Sequence, residues 1–110
     1  DLVIDQVLAG WYGGFAVEVM AMGTPVAAYI RDADLACVPP QMIAELPVLR
    51  IDPRTLEGDL ARLLTEADTW PAIGQRSRRF VERWHNPRTI ASALQRCYRD
   101  PKAKLQLSPA

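Results

Sequence analysis

A short segment that is apolar on nearly all sides, and that glycines bound at both ends, constrains the fold of this chain most strongly. It runs from Gly13 to Gly23, and apolar runs flank it at residues 2–4 and 26–30. A helix of this composition is typical of a buried element, and Gly23 fits the glycine that commonly ends a helix. Continuous apolar strands are typical of parallel sheets covered on both faces. The order strand, helix, strand therefore predicts a parallel βαβ unit.

The rest of the chain predicts one more strand and several helices. Residues 31–39 fit a polar loop, residues 40–46 fit one short helical turn, and residues 48–51 fit a third buried strand. Thr55 is a suitable N-cap residue for a following helix with leucines on one face. The predicted fold class is α/β, a parallel βαβ half of a Rossmann-like sheet with a helical C-terminal segment.

Prolines mark the starts of the last two predicted helices. Trp70-Pro71, preceded by Asp68 or Thr69 as a cap, and Asn86-Pro87 both place proline early in a helix, where it is tolerated. We expect three aromatic residues of these helices to lie in the core: Trp70, Trp84 and Tyr98. The final helix has an apolar stripe at helical spacing, formed by Ile90, Ala93, Leu94, Cys97 and Tyr98. From Asp100 onward we expect a frayed end.

Length and composition bound the class of protein. The chain has 110 residues, enough for one small domain, and 49% of them are apolar, which favours a packed core over disorder. It begins at Asp1 inside the first predicted strand, and we expect it to be part of a longer protein. No apolar run approaches the roughly 18 residues of a membrane span. Two cysteines without metal-ligand spacing, Cys37 and Cys97, favour a reduced cytoplasmic setting and no metal site.

Charge is distributed unevenly, although the formal net charge is zero. Residues 1–75 contain 4 basic and 11 acidic residues, whereas residues 76–110 contain 9 basic and 2 acidic residues. Two interpretations stay open: the basic end packs against the acidic part, or it forms an interaction surface. A surface of this kind would suit an anionic membrane or a nucleic acid. The cations share their helices with an ordinary apolar stripe, so we expect weak membrane contact and no nucleic-acid binding.

Glu18 is the only charged residue of the apolar helix, and it lies about one turn from the helix start. Burying an unpaired carboxylate is costly, so Glu18 is expected to face a cleft, a partner or a polar ligand. A glycine turn that leads into a helix also offers an anion free backbone N–H groups and the positive end of the helix dipole. A strand, a glycine turn, a helix and a lone acid together favour a nucleotide-binding corner.

The same segment resembles the donor-binding signature of a known enzyme family, the group 1 family of retaining glycosyltransferases with the GT-B fold. That signature runs approximately Glu-Gly-Phe-Gly, four mostly apolar residues, and then Glu-Ala-Met-Ala-x-Gly-x-Pro-Val. In this chain the second part reads Glu18-Val19-Met20-Ala21-Met22-Gly23-Thr24-Pro25-Val26. The resemblance implies that residues 1–110 are the C-terminal part of a nucleotide-sugar-binding domain. The full-length protein would then transfer a sugar from a nucleotide diphosphate donor to an acceptor.

The resemblance also implies a set of donor-binding residues: Tyr12, Gly13, Gly14, Phe15, Ala16 and Glu18. Glu18 matches the family glutamate that contacts the nucleotide ribose, and a carboxylate can accept two hydrogen bonds from a diol. The family's first glutamate, eight positions earlier, contacts the donor sugar, and Gly10 stands there in this chain. An aromatic side chain, Trp11 or Tyr12, could instead offer a surface to the sugar ring. Catalytic residues, cofactors and metals are not implied.

Gly10 keeps an alternative open, a Rossmann-like binding or scaffold domain that lacks catalytic activity. For the enzyme we expect the N-terminal domain of the same protein as a partner, and basic residues elsewhere to stabilise the leaving diphosphate. A half-sheet leaves an exposed edge, so we also expect the isolated chain to self-associate. The single histidine, His85, fits a structural role, and Asp5 fits a turn at the end of the first strand.

Overall fold

The computed structural model describes residues 1–104 and 106–107 and contains three strands, five α-helices and two short 3₁₀ helices in those residues. In chain order they are β1 (Val3–Ile4), α1 (Gly14–Ala21), β2 (Val26–Ala28), a 3₁₀ helix (Asp32–Cys37), α2 (Pro40–Glu45), β3 (Leu49–Arg50), α3 (Leu56–Thr65), a 3₁₀ helix (Ala67–Thr69), α4 (Trp70–Trp84) and α5 (Pro87–Arg99). The predicted order of strands and helices is confirmed. The 3₁₀ helix at Asp32–Cys37 lies where a loop was expected.

The strands form one parallel sheet in the order β1-β2-β3, which confirms the predicted βαβ unit and the α/β class. Val3 pairs with Val26, and Ala27 pairs with Leu49. The strands are shorter than the apolar runs suggested, since the ladder covers only two or three residues of each. The Val3 amide donates to the carbonyl of Pro25, immediately before β2, and the Asp5 amide donates to the carbonyl of Ala27 in β2. Ile4, which alternates with them, therefore directs its backbone groups to the open edge of the sheet.

Helices cover the sheet on both faces because the side chains of β2 alternate between two cores. Val26 and Ala28 pack with α1 and α4 on one face, in a cluster that includes Met20, Phe80 and Trp84. Ala27 points to the other face and packs with Ile51 and with Leu63 of α3. All three β2 residues are buried, so the strand reads as a continuous apolar run rather than as an alternating one.

Glycine lets α1 and α4 approach each other closely. Gly23, at φ +79°, ends α1 in the left-handed conformation that glycine adopts without strain. A Cβ at Gly74 in α4 would lie 3.0 Å from the carbonyl carbon of Gly23 and would collide with its oxygen. The backbones therefore meet here without an intervening side chain.

Helix α1 is less buried than its composition predicted. Ala16, Val19 and Met20 face the core, but Phe15 is 57% exposed and Met22 is 80% exposed. Only the side of α1 that faces the sheet and α4 is covered. The apolar side chains on its other side are therefore exposed to solvent. The residues on the outer face form an apolar strip on either side of Glu18.

The aromatic residues of the last two helices were expected in the core, but the structure places only some of them there. Trp84 is buried and Trp70 is half-buried, but Tyr98 is 84% exposed and Leu94 is 44% exposed. Helix α5 buries Ala93 against the body of the protein. Leu94 and Tyr98 of its apolar stripe are exposed, so the expectation that Tyr98 lies in the core is wrong.

The N-cap positions of the last three α-helices are Thr55, Thr69 and Asn86, as predicted, but only Asn86 makes a side-chain cap. Asn86 caps α5 as predicted, because its side chain accepts hydrogen bonds from the amides of Arg88 and Thr89. The hydroxyl of Thr55 donates to the carboxylate of Asp59, one turn into α3, and accepts no hydrogen bond from a helix amide. The hydroxyl of Thr69 donates to the Glu66 carbonyl, because a 3₁₀ helix leads directly into α4. Asp68 lies within that 3₁₀ helix and does not precede α4 directly.

The described C-terminal residues leave the helix at Arg99, close to the predicted end. Residues 105 and 108–110 of the basic segment, including part of the end expected to fray, lie outside the described residues. Across the described part of the chain, no helix combines the length and the apolar character needed to cross a membrane.

Candidate functional site

The candidate site lies at the edge of the sheet where all three parallel strands end. Asp5 follows β1, Tyr29 and Ile30 follow β2, and Asp52 follows β3 shortly after its last residue. Ligands of open α/β sheets bind outside this carboxyl edge, because the loops and helix starts converge there. The glycine turn that leads from β1 into α1 belongs to the same edge.

The start of α1 exposes backbone donors. Gly13 is the N-cap residue, and the first helical hydrogen bond runs from the Val17 amide to the Gly13 carbonyl at 3.3 Å. The three amides between them, those of Gly14, Phe15 and Ala16, precede any intrahelical bond. Gly14 and Phe15 are exposed, whereas Ala16 is fully buried, its backbone included. The accessible donors at the start of α1 are therefore the amides of Gly14 and Phe15.

Asp5 holds the glycine turn in place. Its Oδ2 accepts a hydrogen bond from the Gly13 amide at 2.8 Å, while its own amide donates to the carbonyl of Ala27 in β2 at 2.9 Å. One residue thus joins the sheet to the helix start, and this confirms the turn role expected for Asp5. The Asp5 carboxylate also places a negative charge next to the Gly13 amide. A second anion is therefore expected to bind only at the amides that follow Gly13.

Glu18 is exposed, as its charge predicted. It shares the outer face of α1 with Gly14, four residues before it, and with Phe15, three residues before it. Within the described residues, none of the ion pairs involves its carboxylate. A free acceptor, an exposed ring and a helix start therefore share one face of α1.

Tyr12 lies in the core, so its ring is not available to a sugar. The side chain is 5% exposed, and its hydroxyl hydrogen-bonds Nε2 of His85 at 2.8 Å. Its ring meets Phe80 edge-on at a centroid distance of 6.2 Å. Burial raises the pKa of Tyr12 above its ordinary range and lowers the pKa of His85. Of the two aromatic candidates, only Trp11 keeps a partly exposed surface.

Gly10, in the position of the missing glutamate, has a backbone that favours glycine. It is buried and adopts φ +86°, a conformation that L side chains rarely adopt. A Cβ there would lie 3.1 Å from the side chain of Arg31, whose amide also donates to the Gly10 carbonyl at 2.8 Å. Packing and backbone conformation at this point are both fitted to glycine.

A charged cleft beside the site is a feature that sequence reasoning missed. A cavity of about 290 Å³ adjoins the ends of β2 and β3. Arg50 pairs with Asp32 at 2.6 Å, and Arg54 pairs with Asp52 at 2.7 Å, both along its lining. The hydrogen bonds from Arg54 lower the pKa of Asp52 to about 2. The charges are paired with one another, so this cleft offers a ligand little uncompensated charge.

Arg31 is a second feature of the site that sequence reasoning did not identify. It follows β2, lies against Gly10 and pairs with Asp34 at 3.3 Å, with about half of its side chain exposed. No local sequence signal marks it, because Arg31 and the glycine turn meet only through the pairing of β1 with β2. No group of three or more metal-ligating side chains occurs among the residues described.

Comparisons with protein-family models, with curated proteins and with solved structures find no match to this chain.

Proposed function

We propose that this chain is the C-terminal part of the nucleotide-sugar-binding domain of a GT-B glycosyltransferase, built on a Rossmann-like sheet. The whole cytoplasmic enzyme would transfer a sugar from a nucleotide diphosphate donor to an acceptor, with an N-terminal domain closing over the donor. The observation that carries the proposal is the shared face of α1, where Glu18 lies one turn from free backbone amides at the carboxyl edge of the sheet.

The proposed binding mode assigns each part of that face a role. The diphosphate would accept hydrogen bonds from the exposed amides of Gly14 and Phe15, which the helix dipole strengthens for anions. The ribose hydroxyl groups would donate to the carboxylate of Glu18. The exposed ring of Phe15 would supply an apolar surface next to them.

Arg31 would compensate the charge of Asp5 in this arrangement. Asp5 already uses the amide of Gly13, and its carboxylate opposes a second anion nearby. The pair of Arg31 with Asp34 is half-exposed, and pairs of that kind contribute little free energy. Arg31 can therefore exchange Asp34 for a phosphate oxygen. Catalysis would be largely electrostatic, through stabilisation of the leaving diphosphate.

A binding or scaffold domain without transferase activity is the second candidate, and the conformation of Gly10 favours it. The residue expected to contact the donor sugar is absent, and a glutamate at φ +86° would be strained and crowded by Arg31. Such a domain would keep the nucleotide contacts of α1 but lack the sugar contact.

Two measurements test these candidates. Calorimetry with uridine, guanosine and adenosine diphosphates should give binding of one of them that weakens in the Glu18→Gln variant. Release of free sugar or sugar transfer from the matching donor by the full-length protein would support the enzyme, whereas nucleotide binding without turnover would support the scaffold. Absence of binding by all three nucleotides to the full-length protein would contradict both.

A further inference from the structure

Helices α2 and α4 enclose a second cavity, of about 370 Å³, whose lining is rich in arginine. Three arginines of α4 line it at spacings of three and four residues, so they share one face of the helix. The complete lining is Ala44, Glu45, Arg76, Arg79, Phe80 and Arg83. The volume falls within the range of small-molecule sites. We call this cavity the arginine groove.

Charges in the arginine groove do not balance. Glu45 is its only acidic residue, and both of its oxygens are engaged, Oε1 by Arg83 at 2.9 Å and Oε2 by the indole N–H of Trp84 at 2.8 Å. Arg76 and Arg79 are exposed, and neither takes part in any of the ion pairs among the described residues. Three guanidinium groups therefore face one carboxylate, and two positive charges remain uncompensated.

The groove also contains a donor without an acceptor. Nε of Arg83 is buried and has no hydrogen-bond partner within the described part of the chain. Buried donors of this kind normally have a partner, so the Arg83 side chain keeps hydrogen-bonding capacity that the described residues do not use. The Arg83 guanidinium is itself fixed, by Glu45 and by its position over the Trp84 ring at 5.3 Å.

We propose that the arginine groove binds a phosphate group, either as inorganic phosphate or as a phosphate monoester. Arginine offers several N–H donors in a planar fork that matches phosphate oxygens. Arg76 and Arg79 would contact the phosphate, and Arg83, which Glu45 holds in the lining of the groove, would add a third positive charge beside them. This site is separate from the face of α1 and does not depend on the proposed transferase function.

The test is a titration of the ¹⁵N-labelled chain with inorganic phosphate, followed by NMR. We expect saturable shifts of the Arg83 Nε–Hε resonance and of the amides around Arg76 and Arg79. The Arg76→Gln/Arg79→Gln double variant should bind about tenfold more weakly or worse, as expected for lost charge-assisted contacts. Both residues are exposed, so the variant should retain the circular dichroism spectrum of the parent.

Two further variants separate a defined site from general positive charge. Arg78→Gln removes one charge from the same helix, but Arg78 pairs with Glu82 and does not line the groove, so phosphate affinity should stay within about twofold. Glu45→Gln removes the opposing charge and should raise the affinity. A loss of phosphate affinity in Arg78→Gln as large as that in the double variant, or an absence of saturable shifts, would overturn the proposal.

Vesicles distinguish the sources of the phosphate. Phosphatidic acid carries a phosphate monoester, and phosphatidylcholine vesicles provide a control without one. Binding of inorganic phosphate alone would assign a soluble phosphorylated ligand. Binding to phosphatidic acid vesicles that inorganic phosphate displaces would assign a lipid headgroup. Vesicle binding that the double variant retains in full, without any phosphate shifts in the groove, would contradict the proposed site.

Discussion

The hydroxyl of Tyr12 hydrogen-bonds Nε2 of His85 at 2.8 Å, and this contact joins the glycine turn before α1 to the residue that ends α4. The two rings meet edge-on, and Phe80 packs against both. A residue that the family resemblance assigned to the donor and the single histidine of the chain thus share one structural task. They hold the turn in place on its buried side.

Stability should depend on the protonation of His85. Burial lowers the pKa of His85 from its ordinary value of 6.5, so the unfolded chain binds a proton more readily than the folded chain. The stabilising contribution is complete above pH 6.5 and is lost as the pH falls from there through the lowered folded-state value. Urea unfolding at a series of pH values should show this decline. Because the chain has one histidine, the His85→Gln variant should show no decline in that interval, and an unchanged decline would refute the assignment.

A methyl group at Gly74 should be strongly destabilising. It would collide with the Gly23 carbonyl and push α4 away from α1, and overpacking of this kind costs about 1–3 kcal/mol. Gly58→Ala is the matched control, because Gly58 lies inside α3 and a Cβ there meets no atom within 4 Å. That variant should gain about 0.5–1 kcal/mol from better helix propensity. Thermal or urea unfolding would check both, and equal effects would disprove the close-approach argument.

The backbone at Gly10 should reject side chains of any type. Alanine at positive φ costs about 1–2 kcal/mol, and the Arg31 side chain adds crowding at 3.1 Å. Gly10→Glu should therefore lower the free energy of unfolding and should not increase sugar transfer by the full-length protein. Gly14→Ala, where a Cβ meets nothing within 4 Å, serves as the control for stability. A stable Gly10→Glu protein with more transferase activity than the parent would show that the loop can accept the family glutamate.

Glu18→Gln should weaken nucleotide binding and leave the fold intact. The substitution keeps the shape but removes charge-assisted hydrogen bonds, each worth about 1.5–3 kcal/mol, so nucleotide diphosphate affinity in the full-length protein should fall about tenfold or more. Glu18 is exposed, so the melting temperature should hardly change. Glu57→Gln, an exposed site in α3, is the control by calorimetry. A large loss of stability with unchanged binding would instead mark Glu18 as a structural residue.

Self-association, if it uses the open edge of the sheet, should depend on Ile4. Ile4 is 45% exposed on edge strand β1, and Leu8 beyond it is 74% exposed. Ile4→Lys should reduce association, because a lysine on an edge strand opposes pairing with another chain. Met22→Lys places the same charge at the exposed C-cap of α1, outside edge strand β1, and should have a smaller effect. Analytical ultracentrifugation that shows a monomer at high concentration would contradict this expectation.

The parts of the fold that sequence reasoning predicted correctly depend on local signals. The apolar runs marked the three parallel strands, and Asn86-Pro87 marked the start of α5, because pattern and cap chemistry act within a few residues. Burial was predicted less well. The exposure of Phe15 and Tyr98 and the side-chain bonds of Thr55 and Thr69 depend on which neighbours the topology supplies.

The candidate site was also predicted only where local sequence signals were sufficient. The exposure of Glu18 followed from the cost of burying a lone charge. The contact of Asp5 with Gly13 could be expected only in outline, and the contact of Arg31 with Gly10 could not be expected, because it requires the register of β1 against β2. The arginine groove was equally hidden, since Glu45 and Arg83 lie far apart in the sequence and meet through the packing of α2 on α4.

The two hydrogen bonds of Asp5 make the helix start mechanically continuous with the sheet. Its amide is fixed to β2 and its carboxylate to Gly13, so a displacement of β1 would carry the first amides of α1 with it. The opposite side of β1 is an open edge. A strand that pairs with this edge could therefore shift the first amides of α1. It would change where an anion can bind without contacting the anion itself.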